Sequence, residues 1–288
     1  MTQVDNLPYT IVSKICSDKS SVLLVRDHES SCQYILKKFP VHYAGRTQYD
    51  SEKLIQKLSH PHIIKVKESH DKLQCVVLEH APNGDFCNLL MGGTSLPEKI
   101  ARTYFHQMVE GVDYLHKNEI AHLDLKLDNL LLGPTKALKI IDFDLSQRVE
   151  EEKRGFARSK GTTNYRAPEI RSRKCTNFKA ADVYSMGVIL FALATGLPPY
   201  TETEKGELDG WYNLMMKQQD NYWTKITKYV KVPDDLKELF SGMIKEDPEQ
   251  RFTIEEIRKT NWFKGPILTD EELDQEMQVI LSQLNSNK

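Results

Sequence analysis

Long apolar runs are scarce in this chain. The one that stands out, Val183-Tyr-Ser-Met-Gly-Val-Ile-Leu-Phe-Ala-Leu-Ala-Thr-Gly196, is shorter than the roughly 20 residues a membrane-spanning helix needs, and Pro198-Pro199 follows it. A buried core helix is expected there, with no membrane insertion. Met1 to Tyr9 lacks the apolar core of a signal peptide, so the expected location is the cytoplasm, with the nucleus left open. Cysteine is sparse too. Cys16, Cys32, Cys75, Cys87 and Cys175 form no CxxC pair and no framework spacing, so most should be reduced, buried small hydrophobes of an intracellular protein. Neither charge is in excess: 39 basic residues face 41 acidic ones, and nucleic acid or an anionic membrane is not expected as the main partner. Internal repeats and low-complexity segments are absent.

What remains is a soluble, globular composition, 40% hydrophobic and 28% charged, in 288 residues, enough for two modest domains or one bilobal one. Residues 9 to 39 carry three short β-branched runs with polar connectors, an antiparallel meander. Gln48 to Leu58 has helical periodicity through Leu54, Ile55 and Leu58, and Cys75-Val-Val-Leu78 reads as a further strand. Ala81-Pro-Asn-Gly84 is a turn signal and a natural boundary. Helices dominate beyond it, as in Lys99 to His116 and Asp234 to Ile244. A charged tail, Thr269 to Leu284, has a capping start and places Leu273, Met277, Ile280 and Leu284 on one face. Such a stripe usually packs on its own protein.

Chemistry concentrates in His122-Leu-Asp-Leu-Lys-Leu-Asp-Asn129 and Ile-Ile-Asp-Phe-Asp144. Two carboxylates, a lysine and an asparagine at this spacing can hold a nucleotide's metal ions and accept a hydroxyl proton during phosphoryl transfer. These segments resemble the catalytic loop and metal-binding strand end of the eukaryotic protein kinases. The order of motifs is similar to the calcium/calmodulin-dependent and AMP-activated branch. Ala167-Pro-Glu169, Asp182-Val-Tyr-Ser-Met-Gly187 and Asp-Pro-Glu-Gln-Arg251 extend the likeness over about residues 9 to 263. The tail has no calcium-binding loop pattern and is too acidic for a calmodulin target, so direct calcium control is not expected.

The resemblance implies an α+β, bilobal fold: a small β-rich N-lobe with one main helix (1–80), a larger, mostly helical C-lobe (81–265), and an amphipathic helical tail (266–288). It implies ATP and Mg²⁺ as cofactors and serine or threonine hydroxyls of protein substrates as acceptors. Asp124 would be the catalytic base, with Lys126 beside the transferred phosphate. Asn129 and Asp142 would bind metal. Ile15, Leu23, Lys37, Glu79, Ala81, Asp85 and Leu131 would surround the nucleotide. Glu169 and Arg251 would form a structural ion pair. Asp85 and Asp128 would together face an arginine three residues before the phosphoacceptor. No oligomeric state follows from the likeness.

The pattern is also broken in places. The phosphate-covering loop has no glycine; Cys16, Asp18 and Ser21 hold those sites, where backbone amides must approach phosphate closely. Ile35 replaces the alanine over adenine and narrows the slot unless the strands shift. Counting back from His60-Pro61 puts Ser51 where the partner of Lys37 belongs and Glu52 one residue away, a rotation of about 100°. Asp144 replaces the glycine of Asp-Phe-Gly, at a turn where unusual φ is expected. Leu123 replaces the loop arginine, and Arg158 holds the usual phosphothreonine site, with Ser159 a remaining modifiable hydroxyl. These two changes together suggest a segment set without that phosphorylation, with Arg158 and Lys160 docked on an acidic neighbour. Two functions stay open: an active serine/threonine kinase, and a pseudokinase that binds or scaffolds partners with weak or no nucleotide binding.

Overall fold

In the computed structural model, which describes residues 7–16, 21–154, 163–172, 177–202 and 208–286, the chain starts as an antiparallel sheet. Its strands are β1 (Tyr9–Cys16), β2 (Ser21–Asp27), β3 (Gln33–Lys38), β4 (Val66–His70) and β5 (Cys75–Glu79), in the order β1-β2-β3-β5-β4. Period-2 alternation divides their side chains between two faces. Leu36, Cys75 and Val77 join Tyr9 and Val25 in a small outer cluster, whereas Val76 and Leu78 face the main core. β4, of sequence Val-Lys-Glu-Ser-His, carries too little β-branched or alternating character to be read as a strand without its partner β5.

Helix α1 spans Tyr43–Glu52, earlier than the Gln48–Leu58 window its apolar residues suggest. Leu54 and Ile55 instead fall in a 3₁₀ turn, Lys53–Ile55, and Leu58 follows in a loop. The buried positions of α1 are Gly45, Tyr49, Ser51 and Glu52, so its inward face carries polar and small residues that hydrophobic periodicity does not detect. His42 caps its start, the ring Nδ1 accepting from the Gly45 amide at 3.2 Å. Any Cβ at residue 45 would lie 2.0 Å from the Pro40 carbonyl oxygen, which restricts this first turn to glycine.

The remainder is largely helical. In chain order it contains α2 (Phe86–Leu89), α3 (Glu98–Lys117), β6 (Ile120–Ala121), β7 (Leu130–Leu132), β8 (Leu138–Ile140) and β9 (Gln147–Arg148). There follow α4 (Pro168–Arg171), α5 (Phe178–Thr195), α6 (Gly210–Lys217), α7 (Gln219–Ile226), α8 (Asp234–Met243), α9 (Ile254–Ile257) and α10 (Asp270–Ser286). Two short antiparallel pairs, β6 with β9 and the hairpin β7–β8, frame the central loop. α5 is the axis of this region. Its 18 residues are apolar enough to cross a membrane by composition, yet 89% of them are buried inside the protein. Asn177 caps its start and Gly196, at φ +73°, ends it in the left-handed conformation.

The tail helix α10 opens with a capping box: Glu272 Oε2 accepts from the Thr269 amide at 2.9 Å, and Thr269 Oγ1 accepts from the Glu272 amide at 3.2 Å. Leu273 and Met277 are buried, while Ile280 and Leu284 pack against the same core. The apolar stripe therefore lies on its own protein. Of the cysteines described, Cys75 is buried, Cys87 half-buried and Cys32 exposed, so general burial of cysteine does not hold. A loop position between β2 and β3 accounts for Cys32.

Candidate active site

Lys37, at the end of β3, projects from the inner face of the sheet into a cluster of carboxylates. Its Nζ lies 2.7 Å from Glu52 Oε2 and also bonds Asp142 Oδ1. The register ambiguity between Ser51 and Glu52 is thereby resolved: Glu52 meets the lysine and is completely buried. Burial opposes the charge on Lys37, but Asp142, Glu52 and Asp144 outweigh it and hold the ammonium protonated. Burial, helped by the neighbouring acids, pushes the Glu52 carboxyl up to about 7. Asp142 moves the other way, because Lys37 overcomes its desolvation.

Asp124 is the centre of the loop between β6 and β7. Lys126 Nζ donates to its Oδ2 at 3.0 Å, and Asn129 Nδ2 donates to the same oxygen at 3.1 Å and to the Asp124 carbonyl at 2.8 Å. Oδ1 accepts from no group among the described residues. Asp142 lies at the end of β8, beyond Ile141, whose amide bonds the Asn129 carbonyl at 3.0 Å. The loop and the strand end are thus directly joined.

This geometry has an anchor in α5. Asp182, fully buried, accepts from the His122 amide at 2.9 Å and the Leu123 amide at 2.8 Å, and faces His116 Nε2 at 2.9 Å. Leu123 is left-handed at φ +63°, a conformation that costs a non-glycine residue about 1–3 kcal/mol. The two amide bonds to a buried carboxylate offset that strain. An aspartate in an otherwise apolar helix is the sequence signal for such an anchor. His122 bonds the Ile141 carbonyl at 2.9 Å and lies 4.8 Å from the buried Phe143 ring, so loop and turn share one support.

The turn differs from expectation in one respect. Its left-handed residue is Asp142, at φ +66°, not Asp144. Replacement of glycine by aspartate at 144 therefore incurs no left-handed penalty here. Asp144 is half-buried, and its Oδ2 accepts from Gln48 Nε2 of α1 at 2.7 Å. Burial and then Asp142 raise the Asp144 carboxyl above its ordinary range.

Of the residues expected to enclose the nucleotide base, Ile15 is exposed, Leu23 and Leu131 half-buried, and Ala81 buried. Ile35 pairs with Leu24 on one side and Leu78 on the other, in ladders that run without a register shift. The bulges are in the β1–β2 and β4–β5 pairs. Glu79 meets Lys139 at 2.5 Å. Asp85 caps α2, its oxygens accepting from the Asn88 amide at 2.7 Å and the Asn88 side chain at 2.6 Å, and it bridges to Leu131. Asp128 is exposed. Burial, then Asp128 and Asp85, raise the thiol pKa of Cys87.

The Ala-Pro-Glu segment is held from below. Arg251 Nη1 and Nη2 bond Glu169 Oε1 and Oε2 at 2.5 and 2.7 Å. Arg166, just before it, is buried within electrostatic reach of Asp124, a neighbour no sequence motif announced. The expectations for Asp18, Arg158, Ser159 and Lys160 fall outside the described residues.

Comparison with known proteins agrees with this geometry. The family described as Protein kinase domain matches residues 11–263. The serine/threonine-protein kinase SRK2F of Arabidopsis thaliana is 35% identical over 223 residues, 75% of this chain and 62% of the relative. A carbon catabolite-derepressing protein kinase of Secale cereale is 38% identical over 210 residues, 72% of this chain and 40% of the relative. A probable serine/threonine-protein kinase MARK-B of Dictyostelium discoideum is 34% identical over 256 residues, 85% and 34% respectively. The chain spans only a third to three-fifths of the length of these relatives. With the match covering most of its length, the chain belongs to the protein kinase domain family, whose matching relatives are ATP-binding serine/threonine kinases.

Proposed function

We propose that the protein is a serine/threonine kinase that transfers the γ-phosphate of ATP to a protein hydroxyl, without phosphorylation of the usual activation-segment threonine. The observation that carries this reading is the state of Asp124. One carboxylate oxygen is fixed by Lys126 and Asn129, and the other is open to accept from an incoming hydroxyl. Lys126, kept charged by Asp124 against its burial, lies where a transferred phosphate would need a cation.

The donor set suits Mg²⁺. Asn129 uses its amide nitrogen on Asp124, which leaves its oxygen as a ligand; together with Asp142 this gives an amide and a carboxylate oxygen. When bound, the ion would neutralise the phosphate charge. Lys37, fixed by Glu52, would pair with phosphate, and Ile15, Leu23, Ala81 and Leu131 would enclose the base, with Glu79 and Asp85 along the hinge and ribose side. Asp85 and Asp128 would pair with an arginine before the phosphoacceptor through charge-assisted hydrogen bonds. Protein substrates in the cytoplasm are the proposed partners, with no nucleic acid and no membrane insertion.

A pseudokinase is the second reading. It is favoured by Ile35, bulkier than alanine and set in ladders without a register shift, and by the extra carboxylate of Asp144. A thermal melt with ATP, with and without Mg²⁺, separates the two. Binding at a hundred times the dissociation constant adds about 2.7 kcal/mol. The kinase reading expects a Mg²⁺-dependent shift that Asp142→Asn abolishes; no shift at millimolar ATP favours the pseudokinase.

A further inference from the structure

Gln48 and Glu52 are four residues apart on α1 and therefore share a face. Glu52 reaches Asp142 through Lys37, whereas Gln48 reaches Asp144 directly at 2.7 Å. Between these two points Phe143 is buried against His122. The 142–144 turn is thus held at three successive residues, two of them tied to the same helix. A glycine at 144 would have no side chain to make the second tie.

We propose that Gln48 and Asp144 are a positioning pair, which locks helix α1 to the 142–144 turn and holds Asp142 against Lys37. The pair takes the place of an external signal: helix and turn are latched by their own side chains. The significance of Asp142 as a metal ligand rests on the proposed function; the latch itself does not, because side chains of this chain alone make it. A single helix tie through Lys37 can pivot about one point. Two ties one helical turn apart fix the rotation of α1 as well as its distance.

The test is hydrogen exchange of segments 43–52 and 142–146 in the ligand-free protein, with a Mg²⁺–ATP melt alongside. Gln48→Ala keeps a good helix former and removes only the amide; it should accelerate exchange in both segments about tenfold, as loss of a hydrogen bond to a charged group implies. Asp144→Gly should do the same, and the double variant should add little. Asp144→Asn keeps an acceptor oxygen and should preserve the protection. Gln48→Glu, which opposes two carboxylates, should open the helix more than Gln48→Ala. Additive effects of Gln48→Ala and Asp144→Gly, acceleration confined to the substituted segment, or equal loss in Asp144→Asn and Asp144→Gly would each overturn the latch. Coupled exchange with no Mg²⁺–ATP shift in any variant would support the latch while refuting the nucleotide reading.

Discussion

Replacement of Arg251 by methionine should remove about 3–5 kcal/mol of folding free energy, the range for breaking one side of a buried ion pair. The arginine side chain is fully buried and that of Glu169 is 8% exposed. Besides the two bonds to Glu169, the guanidinium donates to the carbonyls of Lys245 at 2.7 Å, Ala180 at 3.0 Å and Glu246 at 3.2 Å, and it stacks 5.1 Å from the Tyr184 ring. Methionine fills similar volume, so the main loss is electrical: Glu169 is left charged, buried and unpaired, and three carbonyls lose a donor. Against a typical total stability of about 5–15 kcal/mol this is a large fraction. Urea unfolding followed by circular dichroism would measure it. A double variant, Arg251→Met with Glu169→Leu, removes both charges and should recover much of the loss. A single-variant cost below about 1 kcal/mol, or a double variant with fully additive loss, would refute the assignment of this pair as a structural tie.

Three further outcomes are expected. Lys67, with the Glu29 and Ser30 amides, holds the Asp27 carboxyl down to about 2. Its folded pKa is below the unfolded value of about 3.9, so its contribution is present above that pH and disappears as pH falls toward 2; Asp27→Asn should flatten the stability–pH curve in this acid window, and an unchanged slope would refute it. Met277→Ala in α10 should cost about 2–5 kcal/mol by urea unfolding because Met277 is fully buried, whereas a tail that docks loosely would lose far less. Gly45→Ala should cost about 1–3 kcal/mol as overpacking, since the new Cβ collides with the Pro40 carbonyl. It should also speed amide exchange along α1, and a neutral melt would contradict the packing.

Much of the fold could be read from local pattern. The order of the β1–β3 meander agrees with its short apolar runs, and the boundaries of α3, α8 and α10, which have strong periodicity or caps, agree to within a residue or two. α1 did not yield to the same approach because its buried face carries Glu52, Ser51 and Tyr49 rather than an apolar stripe. In the site, the loop from His122 to Asn129 was legible by residue type and spacing. Glu52 was ambiguous because one residue of register decides which way a helical side chain points, and only packing against Lys37 selects it. The bond from Gln48 to Asp144 joins residues 96 apart and has no one-dimensional signature. Asp182 opens a motif legible in the sequence, but its role in holding a strained Leu123 depends on tertiary contact.

Phosphoryl transfer through Asp124 can be measured directly. The most direct measurement is incorporation of labelled γ-phosphate into a serine/threonine peptide library by the purified protein with Mg²⁺–ATP, compared with Asp124→Asn. The wild-type chain should incorporate phosphate, and the variant should lose at least about 10²-fold, the lower range for a positioned acid or base. Equal incorporation by both proteins, or none by the wild type while it binds Mg²⁺–ATP, would contradict it.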